Sequence, residues 1–294
     1  MDKVILIGAA RSGTKFLRSL LGVDAKVGEV PYDVNYIWRY GNEAYPDDAL
    51  PVSLAAPRIK AYIRRLLSKQ ASMGTARSIL VEKTVSNTLR IPFVREVFPE
   101  ARFIHLIRDG RDVTESAMRM WLSPPDWRYL LQKARSFPVS NFGYAAWYLW
   151  NVVFGAVRSG RGVRVWGPRY PGIDTDLVKK SLIEVCARQW AMSIEFAVRD
   201  LARLPAEQVL TVHYEALMTS EAVVSDIARF AGVSAPESVL SFYRETVRRD
   251  TGGGWSRLAE ADRKNAEGII NPQLLKCGYD LGCPGVLKYK SSDN

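Results

Sequence analysis

Residues 4–15 read Val-Ile-Leu-Ile-Gly-Ala-Ala-Arg-Ser-Gly-Thr-Lys, and this stretch decides the fold. The apolar run around its start, 3–9, is rich in Val and Ile, as suits a parallel strand buried on both faces. A helix follows over 14–21, with Phe16, Leu17, Leu20 and Leu21 on one side. Between the two lies a turn of small residues from Gly8 to Gly13. Such a turn lets backbone N–H groups approach an anion, and the helix N-terminus adds positive potential. Arg11 and Lys15 oppose the helix macrodipole unless an anion sits between them, so the turn reads as an anion site. Gly8 and Gly13 have the spacing of a nucleotide phosphate loop, after which Lys and then Ser or Thr should follow. Here the order is Thr14-Lys15, and Phe16 stands where the magnesium-binding hydroxyl belongs.

Working outward, short apolar strands are predicted at 78–81, 102–107 and 209–212. Helices are predicted at 87–98, with Asn87 as N-cap and Pro99 just past the end, and at 110–121. Strand, turn and helix in repetition imply a parallel sheet flanked by helices, a P-loop-like three-layer α/β sandwich. Ligands in such sheets bind at the carboxyl ends of the strands, here the loops after Ile7, Val81, Ile107 and Val212. The segment of about 123–177, rich in proline and aromatics, reads as a helical insertion in a single domain over 1–287, with 288–294 a loose polar tail.

Composition bounds the function. The chain has 294 residues, 47% hydrophobic and 24% charged, which excludes disorder, collagen and coiled coil. Lys and Arg exceed Asp and Glu by 41 to 31, a net charge of +10, so an anionic partner is expected. Three scattered cysteines, Cys186, Cys277 and Cys283, make no disulfide framework, and free thiols in a reducing compartment are expected. With two histidines, His105 and His213, and no zinc spacing, no metal is expected. The opening apolar run is too short for a signal segment, which points to the cytoplasm. No charge falls between Arg135 and Arg158, and Phe142, Tyr144, Trp147, Tyr148, Trp150 and Phe154 lie there. This reads as a buried helix rather than a membrane span, a substrate wall or peripheral membrane contact being the alternatives.

A second constellation, Arg108-Asp109-Gly110-Arg111-Asp112, again joins a strand end to a helix start, with Ser116 further along that helix. An Arg, a hydroxyl and helix-end N–H groups hold a second phosphate. Together the two segments resemble the sulfotransferase family that uses 3′-phosphoadenylyl sulfate (PAPS). Arg11-Ser12-Gly13-Thr14 resembles its 5′-phosphosulfate loop, and Arg108 with Ser116 its 3′-phosphate motif. Glu82-Lys83-Thr84-x-x-Asn87, Trp166-Gly167-Pro168-Arg169-Tyr170-Pro171-Gly172, Tyr214-Glu215-x-Leu217, Gly253-Gly254-Trp255-Ser256-Arg257-Leu258 and Leu275-x-x-Gly278-Tyr279 are similar to further segments of the family. The resemblance covers almost the whole chain and is weakest over 123–177.

What the resemblance implies is specific. Arg11, Ser12, Gly13, Thr14 and Lys15 would hold the 5′-phosphosulfate, and Arg108 and Ser116 the 3′-phosphate. Tyr214 would pack near the adenine, and Gly254, Trp255 and Arg257 would cover the nucleotide. Arg11 and Lys83 would lie near the transferring group. The position of the base in small-molecule members is Val85 here, so their histidine mechanism does not apply. The tyrosylprotein and heparan branches use a Glu after the first helix, which points to Glu29 as the catalytic base, with Asp33 the nearest substitute. His105, inside a strand, reads as a core residue. The product would be 3′-phosphoadenosine 5′-phosphate (PAP), and the acceptor a hydroxyl, a carbohydrate or glycoconjugate being favoured. Two other classes stay open on the residues: a P-loop kinase or NTPase, and a basic nucleic-acid-binding protein. The first is opposed by the Thr14-Lys15 order, the second by the lack of any interleaved basic and aromatic stripe. Nothing in the sequence sets the oligomeric state.

Overall fold

Five parallel strands form one sheet in the order β2-β3-β1-β4-β5. They are β1 (Asp2–Ile7), β2 (Val27–Glu29), β3 (Ile79–Glu82), β4 (Arg102–Ile107) and β5 (Val209–His213). In this computed structural model the described residues are 2–73, 77–123, 166–233, 236–247 and 253–288. β1 lies at the centre, Val4 to Ile7 pairing Arg102 to His105 of β4, and Asp2 to Ile5 pairing Ile79 to Glu82 of β3. Alternate side chains point to opposite faces. Ile5, Ile7, Leu80 and Phe103 face one helical layer, formed by α2 (Asn35–Trp38), α3 (Pro57–Gln70) and α4 (Ile91–Val97). Val4, Leu6, Val81, Ile104 and Leu106 face the other, with α1 (Thr14–Leu21), α8 (Tyr214–Thr219), α9 (Glu221–Ala231) and α10 (Pro236–Thr246). This is the expected P-loop-like three-layer arrangement.

Beyond the carboxyl edge, α5 (Gly110–Leu122), α7 (Leu182–Leu201) and α11 (Glu260–Lys276) close a third apolar cluster around Trp190, Ile194 and Trp255. The short α6 (Ile173–Lys179) packs with Tyr170 on α5 and α7. Of the expected insertion, 124–165 lies outside the described residues, and so does the aromatic stretch within it. Among the described residues no helix is long and apolar enough to cross a membrane. Cys186 and Cys277 are buried free thiols and Cys283 an exposed one.

Three sequence expectations need correction. β2 has no counterpart among the expected strands: it is three residues long and carries Gly28, where a Cβ would meet the Ala71 carbonyl oxygen at 2.5 Å. The helix expected over 87–98 divides into a 3-10 turn, Val85–Leu89, and α4, because Pro92 restarts the helix and Arg90 takes φ −142°. Asn87 therefore caps nothing; its amide donates to Glu82 and its carbonyl accepts from Arg90. Lys288 is no loose tail, since its N–H donates to the Gly278 carbonyl at 2.8 Å beside the Tyr279–Leu287 bridge.

Candidate active site

The loop after β1 is shaped as an anion cradle. Arg11 takes φ +76° and Gly13 φ +91°, turns that aim successive N–H groups inward. Gly13 is required, because a Cβ there would stand 2.5 Å from the Tyr214 ring. Gly8 is equally confined, a Cβ lying 2.8 Å from the Leu106 carbonyl oxygen. No side chain caps α1, so its first N–H groups remain available at the cradle. Ser12 is fully buried with no hydrogen-bond partner for its hydroxyl among the described residues. A buried polar atom without a partner is costly, and an anion in the loop would satisfy it.

The loop after β4 meets this cradle. Arg11 Nε donates to Ser116 Oγ at 2.9 Å, and Arg108 Nη1 donates to the Arg11 carbonyl at 3.3 Å. The Arg108 guanidinium lies 4.3 Å over the Tyr214 ring and 3.6 Å from the Asp112 carboxylate. Burial, then Arg119 and Arg108, lower the Arg11 pKa, with Glu115 opposing. Cations gathered in this way favour an anion between them. Burial raises the Asp112 carboxyl against the pull of Arg108. Arg11, Gly13, Arg108, Ser116 and Tyr214, 203 positions apart at the extremes of the numbering, are thus brought into one contact set.

The glycine–tryptophan loop lies alongside. Gly254 rests against the Glu115 carboxylate with no room for a Cβ. Trp255 is buried with Ala9, Ile107 and Trp190. Arg257 and Lys15 are exposed. Trp190 was missed by sequence reasoning, yet its Nε1 donates to the Arg108 carbonyl at 3.1 Å and its ring lies where a Gly110 Cβ would be. Only its place on an apolar face of α7 marked it, which is the signal of any core residue.

A third group stands after β3. Lys83 Nζ lies 3.7 Å from Asp33 Oδ2, and the same oxygen accepts the Val85 N–H at 3.0 Å. Glu29 does not join them. It is the last residue of β2 and pairs in register with Val81, one residue before the end of β3. Its carboxylate lies 3.2 Å from Arg18 Nε, where a Gly22 Cβ would touch it, at the C-terminal end of α1. The cradle is at the other end of that helix. His105 is buried in β4, as expected of a core residue. Among the described residues no cluster could hold a metal ion.

The sequence pattern of the sulfotransferase family matches residues 37–150. No curated protein matches the chain. Among solved structures it is similar to the sulfotransferase domain of the Synechococcus PCC 7002 olefin synthase, with 15% identity, a TM-score of 0.53 and 96% of each chain covered. A sulfotransferase from Mycobacterium avium gives 15% identity and a TM-score of 0.53, covering 95% of this chain and 78% of that one. One from Alicyclobacillus acidocaldarius gives 15% and 0.50, covering 96% and 98%. At these identities the structural likeness is one of fold. The chain thus carries the sulfotransferase pattern over residues 37–150 and shares the fold of solved sulfotransferases along nearly its whole length.

Proposed function

We propose that the chain transfers the sulfuryl group of PAPS to an acceptor hydroxyl by direct in-line displacement. The observation that carries this is the Arg11–Ser116 hydrogen bond with Arg108 stacked on Tyr214, which joins two anion-binding turns at one sheet edge. Arg11, Ser12, Gly13, Thr14 and Lys15 hold the 5′-phosphosulfate. Arg108 and Ser116 hold the 3′-phosphate, Tyr214 flanks the adenine, and Gly254, Trp255 and Arg257 cover it. The acceptor oxygen forms a bond to sulfur as the bond from sulfur to the 5′-phosphate oxygen breaks. Arg11, Lys83 and the cradle N–H groups stabilise the charge that grows on that leaving oxygen, which ends on PAP. The acceptor proton passes to a carboxylate.

Position favours Asp33 over Glu29 for that carboxylate. Asp33 stands against Lys83, whereas Glu29 is held by Arg18 at the far end of α1. A general base must reach its proton within hydrogen-bond distance or through one water. The acceptor is a hydroxyl of a carbohydrate or glycoconjugate, as the resemblance to the family's glycan-acting branches favours. The three free thiols support a cytoplasmic site of action.

Calorimetric titration with PAP in the presence of EDTA tests the nucleotide site. Metal-free binding that weakens by about 10- to 100-fold in Arg108→Ala is expected, and magnesium-dependent ATP binding in its place would sink the reading. Radiolabelled transfer to a panel of sugars, phenols and alcohols then identifies the acceptor. Asp33→Asn should abolish transfer and Glu29→Gln should retain it; the reverse result returns the base to Glu29.

A further inference from the structure

Glu82, the last residue of β3, is fully buried at the carboxyl edge of the sheet and has no part in the scheme above. Its carboxylate accepts a hydrogen bond from Thr84 Oγ1 and one from Asn87 Nδ2 at 2.9 Å. The Thr84 hydroxyl, also fully buried, accepts the Val34 N–H at 3.2 Å. One residue earlier, Asp33 accepts the Val85 N–H and faces Lys83. The loop after β2 is therefore latched to the loop after β3 twice, once through Thr84 and once through Asp33 itself. A hydroxyl carries one proton. With that proton committed to Glu82, the lone pairs of Thr84 are directed to Val34.

We propose that Glu82 is a positioning residue for sulfuryl transfer, orienting Thr84 so that Val34 and Asp33 are held against Lys83. This rests on the assignment of Asp33 as base. Facing Glu82 are Thr84 and Lys83 from its own strand end, Asn87 and Arg90 beyond it, Trp38 from α2 and Asp33 from the loop after β2. Burial raises its carboxyl to about 7, against Thr84, Trp38 and Lys83 and with help from Asp33. Once protonated, Glu82 becomes a donor; the Thr84 hydroxyl must turn and the latch to Val34 loosens. Glu82→Gln imitates that state. The Asn87 carbonyl is held by Arg90 Nε at 2.9 Å, so its amide is not free to reverse and meet the new NH2 group.

The test uses the whole chain with 13C-labelled aspartate, bound to PAP, and follows the Asp33 carboxyl shift across neutral pH. Slow sulfate release from PAPS to water is measured in parallel, so no acceptor need be known. In the wild type the Asp33 shift should show a step near the Glu82 transition; Glu82→Gln and Thr84→Val should remove it, and Thr84→Ser should keep it. Sulfate release should fall at least about tenfold in Thr84→Val, with PAP affinity within about twofold, and recover in Thr84→Ser. An unchanged Asp33 titration and rate in Thr84→Val overturns the proposal, as does a wild-type profile without the step. Should Thr84→Val not fold, the near-isosteric Glu82→Gln distinguishes the same two outcomes. The reading beneath it fails differently: no sulfate release in any variant, with the Asp33 step intact, removes sulfuryl transfer and leaves the latch. Full release in Asp33→Asn removes the base.

Discussion

At the scale of single residues, the cradle depends on a few atoms with no slack. Gly13→Ala would push a methyl into the Tyr214 ring at a φ of +91°, costing about 1–3 kcal/mol in strain and overpacking. PAP binding should be lost with it, as calorimetry beside a denaturant melt would establish. Arg108→Ala removes a charged donor and the stack on Tyr214; a charged hydrogen bond is worth about 1.5–3 kcal/mol, so PAP affinity should fall by about 10- to 100-fold. Ser116→Ala takes the acceptor for Arg11 Nε and, in the proposed site, a neutral hydroxyl donor to the 3′-phosphate; a neutral hydrogen bond is worth less than a charged one, so a smaller loss, about tenfold, is expected. An equal loss in both would mean that the hydroxyl matters as much to the 3′-phosphate as the guanidinium does.

Elements carry two further consequences. Burial, with a contribution from His213, lowers the His105 pKa within β4 to about 4. The unfolded chain binds that proton below its ordinary pKa of about 6.5, so stability is intact above that value and drains away as pH falls from about 6.5 towards 4. At pH 5 this costs about 2 kcal/mol. His105→Leu should remove this part of the acid sensitivity, seen as a gain over wild type that grows between urea melts at pH 7 and pH 5. The second consequence concerns the stretch after α2. Asp48 accepts hydrogen bonds from Asn35 at 3.0 Å, Arg39 at 3.0 Å, Ser86 at 2.8 Å and the Arg169 N–H at 2.9 Å. Burial pushes its carboxyl up, and Arg90 and Arg39 more than offset that, leaving it below the ordinary range. Asp48→Ala would strand two buried guanidiniums, at a cost of about 3–5 kcal/mol, and should show as a lowered urea midpoint.

Across the whole molecule, the chain's end braces its centre. Arg111, at the start of α5, binds Asp109 in a fork and donates to the carbonyls of Asp280, Leu281 and Cys283. Asp109 also accepts the Gly285 N–H at 2.7 Å, and its own N–H donates to Glu215, which accepts the Tyr279 hydroxyl at 2.7 Å. The turn beside Arg108 is thereby tied to residues more than 160 positions away, as the separations of Arg111 from Asp280 and Leu281 record. Arg111→Ala leaves the buried Asp109 uncompensated and should cost about 3 kcal/mol or more, weakening PAP binding at a site the arginine need not touch. Tyr279→Phe, losing one hydrogen bond, should cost about 1–2 kcal/mol. Calorimetric titration of both at a temperature where each stays folded separates the brace from global loss.

Local chemistry determined what could be read from the chain alone. The apolar run into Gly8, the small-residue turn and the helical spacing of Phe16, Leu17, Leu20 and Leu21 each act within a dozen residues, so strand, cradle and helix were legible. So was the Arg108-to-Ser116 unit, because strand end and helix start are adjacent in sequence. β2 was not, since three residues with a central glycine show no period. Nor were the different ion-pair partners of the two candidate carboxylates. Glu29 and Asp33 are four positions apart in neighbouring segments of similar composition, and only the register of β2 on β3 sends one to Arg18 and the other to Lys83. Trp190 beneath Arg108, the Asp48 cluster and the C-terminal brace likewise arise from contacts between distant segments. Such contacts form only when burial of apolar surface draws the layers together, a drive that is non-directional and leaves no local mark in the sequence.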